Sequence, residues 1–77
     1  MMYELLEDIG CDLVTHPEDF RLESSTDGDF DQYSITVHPD DFGQIIGRQG
    51  RTARALRTVA RIGAARVGRR AAVEIVE

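Results

Sequence analysis

Gly47-Arg48-Gln49-Gly50 is the segment in which residue types and spacing most directly suggest chemistry. A glycine at each end lets the backbone turn sharply and approach another backbone closely. Ile45 and Ile46 precede it, Arg48 lies inside it and Arg51 follows it. A helix starting at Arg51 offers unpaired N–H groups and the positive end of its dipole, which favour an anion. Two guanidinium groups beside that end suit phosphate oxygens. The spacing alone says little, since a chain with seven Gly in 77 residues forms such a pair readily. Two readings stand on these residues: a loop that holds a phosphate backbone, and a tight helix–helix turn needing two glycines.

The following helix favours the first. At about 100° per residue, Arg51, Arg54, Arg57 and Arg61 fall within an arc of about 120°. Ala53, Leu56, Ala60, Gly63 and Val67 fall on a neighbouring arc able to pack on a sheet. An ordinary solvated helix face mixes acids with bases, and between Arg48 and Arg70 there is no acid at all. Like charge without compensation costs stability, so a polyanion partner explains this edge better. Ala55, Val59 and Ile62 lie beyond the core arc, on the side away from the arginines. Either the first helix or the chain ends cover them, or they form a subunit interface that supports a small core.

Other constellations fail on chemistry. Asp27, Asp29 and Asp31 have the spacing that opens a calcium loop, but Gln32 stands where its Gly belongs and His38 where its bidentate Glu belongs. A hairpin tip with solvated acids is the simpler reading. His16 and His38 have no partner at ligand spacing and each precedes a proline, so capping or exposure is expected and no metal site. No phosphate-binding Gly-x-x-x-x-Gly-Lys loop occurs. Ser24, Ser25 and Ser34 lack a plausible His-Asp arrangement. Cys11, inside the first helix, is expected to be a small buried hydrophobe. No cofactor, small-molecule substrate or catalytic function is expected.

Composition sharpens the picture. Acids number 14 against nine Arg and no Lys, for a net charge of −5. That average describes neither half. Residues 1–41 hold twelve acids and one Arg, whereas residues 42–77 hold eight Arg and two Glu. The exclusive use of Arg is consistent with coding bias and with the forked, stacking chemistry of guanidinium. A single cysteine allows no disulfide framework, which suits a reducing cytosol. The acidic start resembles no signal peptide and no apolar run is long enough for a membrane span, so a cytoplasmic location is expected.

These groups need a scaffold to position them. Met2, Leu5, Leu6, Ile9, Leu13 and Val14 recur at helical spacing and predict a helix over residues 2–14, ended by His16-Pro17. Phe20 and Leu22 predict a short strand, Asp27-Gly28 a hairpin turn, and Tyr33, Ile35 and Val37 the inward face of a second strand. Pro39 suits a first helical position, followed by Asp40 and Asp41 near the positive helix end. Phe42, Ile45 and Ile46 give that second helix its apolar face. A third helix is predicted over 51–66 with Gly68 as its terminator. Ala71, Val73 and Ile75 complete a third strand. The order helix-strand-strand-helix-helix-strand predicts one α+β domain over 1–77, with three helices covering one face of a three-stranded sheet. The echo between His16-Pro17-Glu18-Asp19-Phe20 and His38-Pro39-Asp40-Asp41-Phe42 is taken as coincidence.

The segment Ile45-Ile46-Gly47-Arg48-Gln49-Gly50-Arg51, between two helices, resembles the KH domain in its bacterial, type II order. The stretches Leu13 to Glu18, Val37 to Gly43, Gly50 to Val59 and Val73 to Val76 are similar to the small stand-alone KH proteins of the KhpA family. The resemblance covers essentially the whole chain. It implies that Gly47, Arg48, Gln49 and Gly50 clamp the sugar-phosphate backbone of single-stranded RNA, with Arg51 and Arg54 beside them. Ile45, Ile46 and Ile35 are then candidates for an apolar groove that takes the bases. It further implies a homodimer, or a heterodimer with a larger KH protein of the KhpB (Jag) type, and RNA chaperoning linked to cell-envelope growth and cell length. A protein-interaction module working through Ala55, Val59 and Ile62 is the competing reading. Two features depart from the family pattern: Arg stands where Lys is usual, and Gly10-Cys11 interrupts a helix usually richer in Ala, at a cost of about 1 kcal/mol for the glycine.

Overall fold

In the computed structural model, residues 2–77 are described, and they follow the predicted order. Helix α1 spans Met2–Leu13, strand β1 Arg21–Asp27, strand β2 Phe30–Thr36, helix α2 Pro39–Ile46, helix α3 Arg51–Arg66 and strand β3 Arg70–Val76. Strands β1 and β2 pair antiparallel, while β2 and β3 pair parallel, so the sheet order is β1-β2-β3 with β2 central. This is the α+β arrangement the sequence predicts.

The strand alternation decides which face is covered. Leu22, Tyr33, Ile35, Val37, Ala71, Val73 and Ile75 are buried on the side that meets the helices. Leu6 of α1, Ile45 of α2 and Leu56 of α3 fill the space above them. Ala53, Ala60 and Ala64 are also buried, and their small side chains let α3 lie close on the sheet. At its far end α3 closes in a Schellman motif. Gly68 donates to the Ala65 carbonyl at 3.1 Å and Arg69 to that of Ala64 at 2.8 Å, with Gly68 at φ 72°. The glycine therefore stops the helix where the sequence places the stop.

Three expectations need correction. The hairpin turn is Gly28-Asp29, one residue later than Asp27-Gly28, because Asp27 pairs with Phe30. Gly28 takes φ 61° at the first central position, and Asp29 does not share a positive φ, as a type II′ turn demands. Cys11 is exposed. Desolvation first, then the carboxylates of Glu7, Asp12 and Asp8, raise its thiol pKa, which makes it a poor nucleophile. The buried neighbour is Gly10, and a Cβ there would run into the Phe20 ring edge. The glycine that weakens α1 locally is thus the point where the ring packs on it.

The third correction concerns the echo, which has a structural counterpart. His16 and His38 each precede a proline at the first position of a helical turn, Pro17–Asp19 in one case and α2 in the other. Their rings stack with centroids 4.1 Å apart at 25°. The first copy still leads into a strand, because its turn lasts only three residues.

Candidate nucleic-acid interface

The loop between α2 and α3 is built from three residues with positive φ. Gly47 lies at 81°, Gln49 at 57° and Gly50 at 74°. At Gly47 a side chain is excluded twice, by the backbone angle and by Thr52, whose backbone nitrogen would sit 2.9 Å from a Cβ. Gly50 meets no such neighbour; its requirement is conformational alone. Gln49 is the one residue other than glycine held in the left-handed region among the described residues, a conformation that costs of order 1 kcal/mol or more. A single 3₁₀ turn over Arg48–Gly50 results, with Gly47 donating back to Gly43 at 2.9 Å and Gly50 to Gly47 at 3.1 Å.

That geometry turns Arg48 and Gln49 outward, where both are exposed. Helix α3 then begins at Arg51 with Gly50 as its N-cap, no side-chain acceptor for its first N–H groups and no acid in its first turn. Arg48 and Arg51 have no partner among the described residues. Arg54 points an Nη2 at the Gln49 carbonyl at 3.4 Å, so it leans toward the loop. Two free guanidinium groups therefore flank an open helix end.

The remaining arginines of the edge divide. Arg57 donates through Nε to the Val73 carbonyl at 3.3 Å, covering part of the open edge of β3. Its membership of the arginine arc is real, but its group is occupied. Arg61 is exposed and unpartnered among the described residues.

The groove candidates divide as well. Ile35 and Ile45 have 0% exposure and belong to the core beneath the helices, so neither presents surface to a ligand. Ile46 is half-buried and is the one of the three with surface to offer. Burial follows from register: Ile35 pairs with Leu22 and Ile75 at the sheet centre.

Sequence reasoning missed the device that holds α2 in place. Asp41 is 2% exposed and was expected only to favour the helix dipole. Instead its Oδ1 accepts from Thr15 N at 2.9 Å and Thr15 Oγ1 at 2.7 Å, and its Oδ2 accepts from His16 N at 3.0 Å. Burial pushes its pKa up, but these hydrogen bonds outweigh it and hold the carboxyl below the ordinary value. His38 completes the arrangement, its Nδ1 accepting from Asp40 N at 3.0 Å as an N-cap. The repeated His-Pro-x-Asp-Phe was the available signal.

His16, Asp19 and His38 bring potential metal-ligand atoms within 4.8 Å of one another. A tetrahedral ion at about 2.0–2.1 Å from each needs them roughly 3.4 Å apart. With Nδ1 of His38 accepting from Asp40, its proton sits on Nε2, so ligation there would cost the cap.

A second surface lies between α1 and α3. Leu5, Ile62 and Val67 are 44%, 54% and 70% exposed, and Val59 is half-buried beside them. Met2 reaches over Gly63 but leaves Ile62 uncovered. Ala55, expected on this surface, is exposed on the same helix.

The model of the family "KhpA/KhpB, KH domain" matches residues 3–75. The chain belongs to this KH-domain family. A protein of Halalkalibacterium halodurans named RNA-binding protein KhpA is 43% identical over 76 residues, covering 99% of this chain and all of the relative. One of the same name from Clostridium perfringens is 37% identical over 75 residues, covering 97% of this chain and all of the relative. That of Streptomyces coelicolor is 46% identical over 59 residues, covering 77% of this chain and 75% of the relative. No solved structure matches the chain significantly. Among the described residues, no helix of this KH chain is long and apolar enough to cross a membrane.

Proposed function

We propose that this KH chain is a non-catalytic binder of single-stranded RNA that grips the sugar-phosphate backbone at Gly47, Arg48, Gln49 and Gly50. The observation that carries the reading is the amino end of α3, without a side-chain cap, free of acids and flanked by the exposed Arg48 and Arg51. The Arg51 N–H is already held by the Arg48 carbonyl, so a phosphate there would accept from the other N–H groups of the first turn while two guanidiniums balance its charge. Arg54 supports the loop from the next turn of the helix. Bases would lie toward Ile46, over a floor stiffened by Ile35 and Ile45. Neither catalysis nor a cofactor is part of the proposal.

The finer role belongs to the same proposal and rests on family likeness. It is RNA chaperoning in the cytoplasm with a larger KH partner of the KhpB/Jag type, linked to cell-envelope homeostasis and cell length. The exposed surface of Leu5, Val59, Ile62 and Val67 supports a second reading, an interface for a second copy or for that partner. Two copies joined there would present two loops to one longer RNA and raise avidity.

The test replaces Arg48 and Gln49 by Asp, checks folding by circular dichroism and titrates short RNA at two salt concentrations, with light scattering on Ile62→Asp in parallel. Affinity is expected to fall tenfold or more in the loop variant, with a shallower dependence on salt. Undiminished binding by the folded variant rejects the clamp. A mass unchanged from wild type in Ile62→Asp rejects the interface.

A further inference from the structure

The far end of α3 carries a feature the loop does not use. Arg61 and Ala65 of α3, Phe30 at the start of β2, and Arg69, Arg70 and Ala71 around the start of β3 line one shallow cleft. Phe30 and Arg70 are register partners across the parallel pair, so their side chains leave the same face of the sheet. The Arg70 guanidinium lies 5.7 Å from the Phe30 ring centroid, within cation–π range. Ala71 lies on the helix side of the sheet and Phe30 and Arg70 on the other, so the cleft wraps the end of the sheet, with the small Ala65 and Ala71 completing its lining.

The charges around it are settled in a particular way. Arg69 forks onto Asp31 through Nε at 2.9 Å and Nη2 at 2.7 Å, and Nη2 also reaches the Gly28 carbonyl at 3.0 Å. This fixes one wall and takes up the nearer acid. Asp29 stands 3.4 Å from Arg70 at the exposed rim. Arg61 remains exposed with no partner among the described residues. An aromatic ring, a guanidinium held over it and a free guanidinium beside it form the combination that takes single-stranded nucleic acid: a base stacks while phosphates find the cations.

The cleft lies on the same side of α3 as the arginines next to the loop. Arg51, Arg54, Arg57 and Arg61 share one side of α3, and the ten residues from Arg51 to Arg61 rise about 15 Å. No acid interrupts the helix. We propose that this cleft seats a further nucleotide of the RNA strand held at the loop, with Phe30 stacking its base and the free Arg61 taking its phosphate. The proposal rests on the RNA reading of the loop and extends the footprint along α3.

The experiment compares uridine oligonucleotides of four and twelve nucleotides on wild type, Phe30→Leu and Arg61→Ala, each checked for folding by thermal melting. Leu keeps apolar bulk at position 30 and removes the stacking surface. Each variant is expected to weaken the twelve-nucleotide RNA about fivefold or more and to leave the four-nucleotide RNA unchanged. A twelve-mer carrying 4-thiouridine near either end is expected to photocrosslink to the peptide containing Phe30. Wild-type affinity of both variants for the twelve-mer, or an equal loss on the four-mer, overturns the proposal. So does absence of the Phe30 crosslink, whatever the loop does. Failure of the loop reading shows separately, as undiminished four-mer binding when Arg48 and Gln49 are replaced by Asp.

Discussion

Helices α2 and α3 follow one another across a four-residue loop, yet their amino ends are finished in opposite ways. The α2 end is saturated: His38 caps it, Pro39 occupies its first position, Asp40 and Asp41 sit in its first turn, and Asp41 reaches back to Thr15 and His16. The α3 end has a glycine for a cap, no acid and arginine on both sides. Glycine in place of a side-chain cap costs only a few tenths of a kcal/mol, and arginine at the positive end of a helix costs about as much again. The chain has the residues to close such an end and uses them once. One end anchors the fold, and the other is the end proposed to take a phosphate.

The sharpest way to break the anchored end is Asp41→Asn. Asn keeps an acceptor for Thr15 but turns an NH₂ toward the His16 N–H, placing donor against donor in a buried site. Melting followed by circular dichroism should show the largest loss of any substitution considered, several degrees or more at neutral pH. The pH dependence has a definite sign. A carboxyl held below its ordinary value stabilises fully above about pH 4 and loses its contribution as pH falls through the folded value. The gap between wild type and Asp41→Asn should therefore be constant near neutrality and close on acidification. Asp31, lowered chiefly by its hydrogen bond with Arg69, keeps its own acid sensitivity in both proteins. A gap that does not narrow at all as pH falls from neutrality through the carboxylate range to acid unfolding would sink the assignment.

His38→Ala is the milder version, expected to cost about 1 kcal/mol through the lost cap, with RNA affinity unchanged. His38→Asn should recover most of it, since Asn also accepts at a helix start. A protonated imidazole carries hydrogen on both nitrogens and cannot accept from Asp40, so the histidine cap works only with the neutral ring. If His38→Ala weakens RNA binding as much as a loop variant does, the two helix ends are not independent and the comparison fails.

How much of this was legible depended on how local each cause is. Strand faces, the limits of α3 and the stop at Gly68 follow from alternation, periodicity and one backbone angle, and all read directly. The hairpin was displaced by one residue because Gly28 serves either turn type, and only the pairing of Asp27 with Phe30 selects between them. The usual burial of cysteine points the wrong way at Cys11. The buried stripe of α1 runs through Leu6 and Gly10, which turns position 11 to solvent. Asp41 was half legible: its place in a first helical turn was visible, but its partners lie 26 and 25 residues away. Arg57 and Arg61 look alike on a helical wheel. Only the carbonyl of Val73 at the sheet edge tells them apart.

Arg51→Glu tests the open end with the smallest expected change in stability and the most informative sign. Glu in the first turn of α3 faces the positive end of the dipole and supplies the acid that α2 has, for a gain of about 0.3–1 kcal/mol. The same change removes a cation from the proposed phosphate seat and puts an anion in its place. RNA affinity should fall and its logarithmic salt dependence should lose about one contact's worth of slope. Stability and affinity are thus expected to move in opposite directions, which a merely structural arginine cannot produce. An arginine kept for the fold would lose stability on substitution and leave RNA binding where it was. An increase in melting temperature with wild-type RNA affinity would leave the open end of α3 without the function proposed for it.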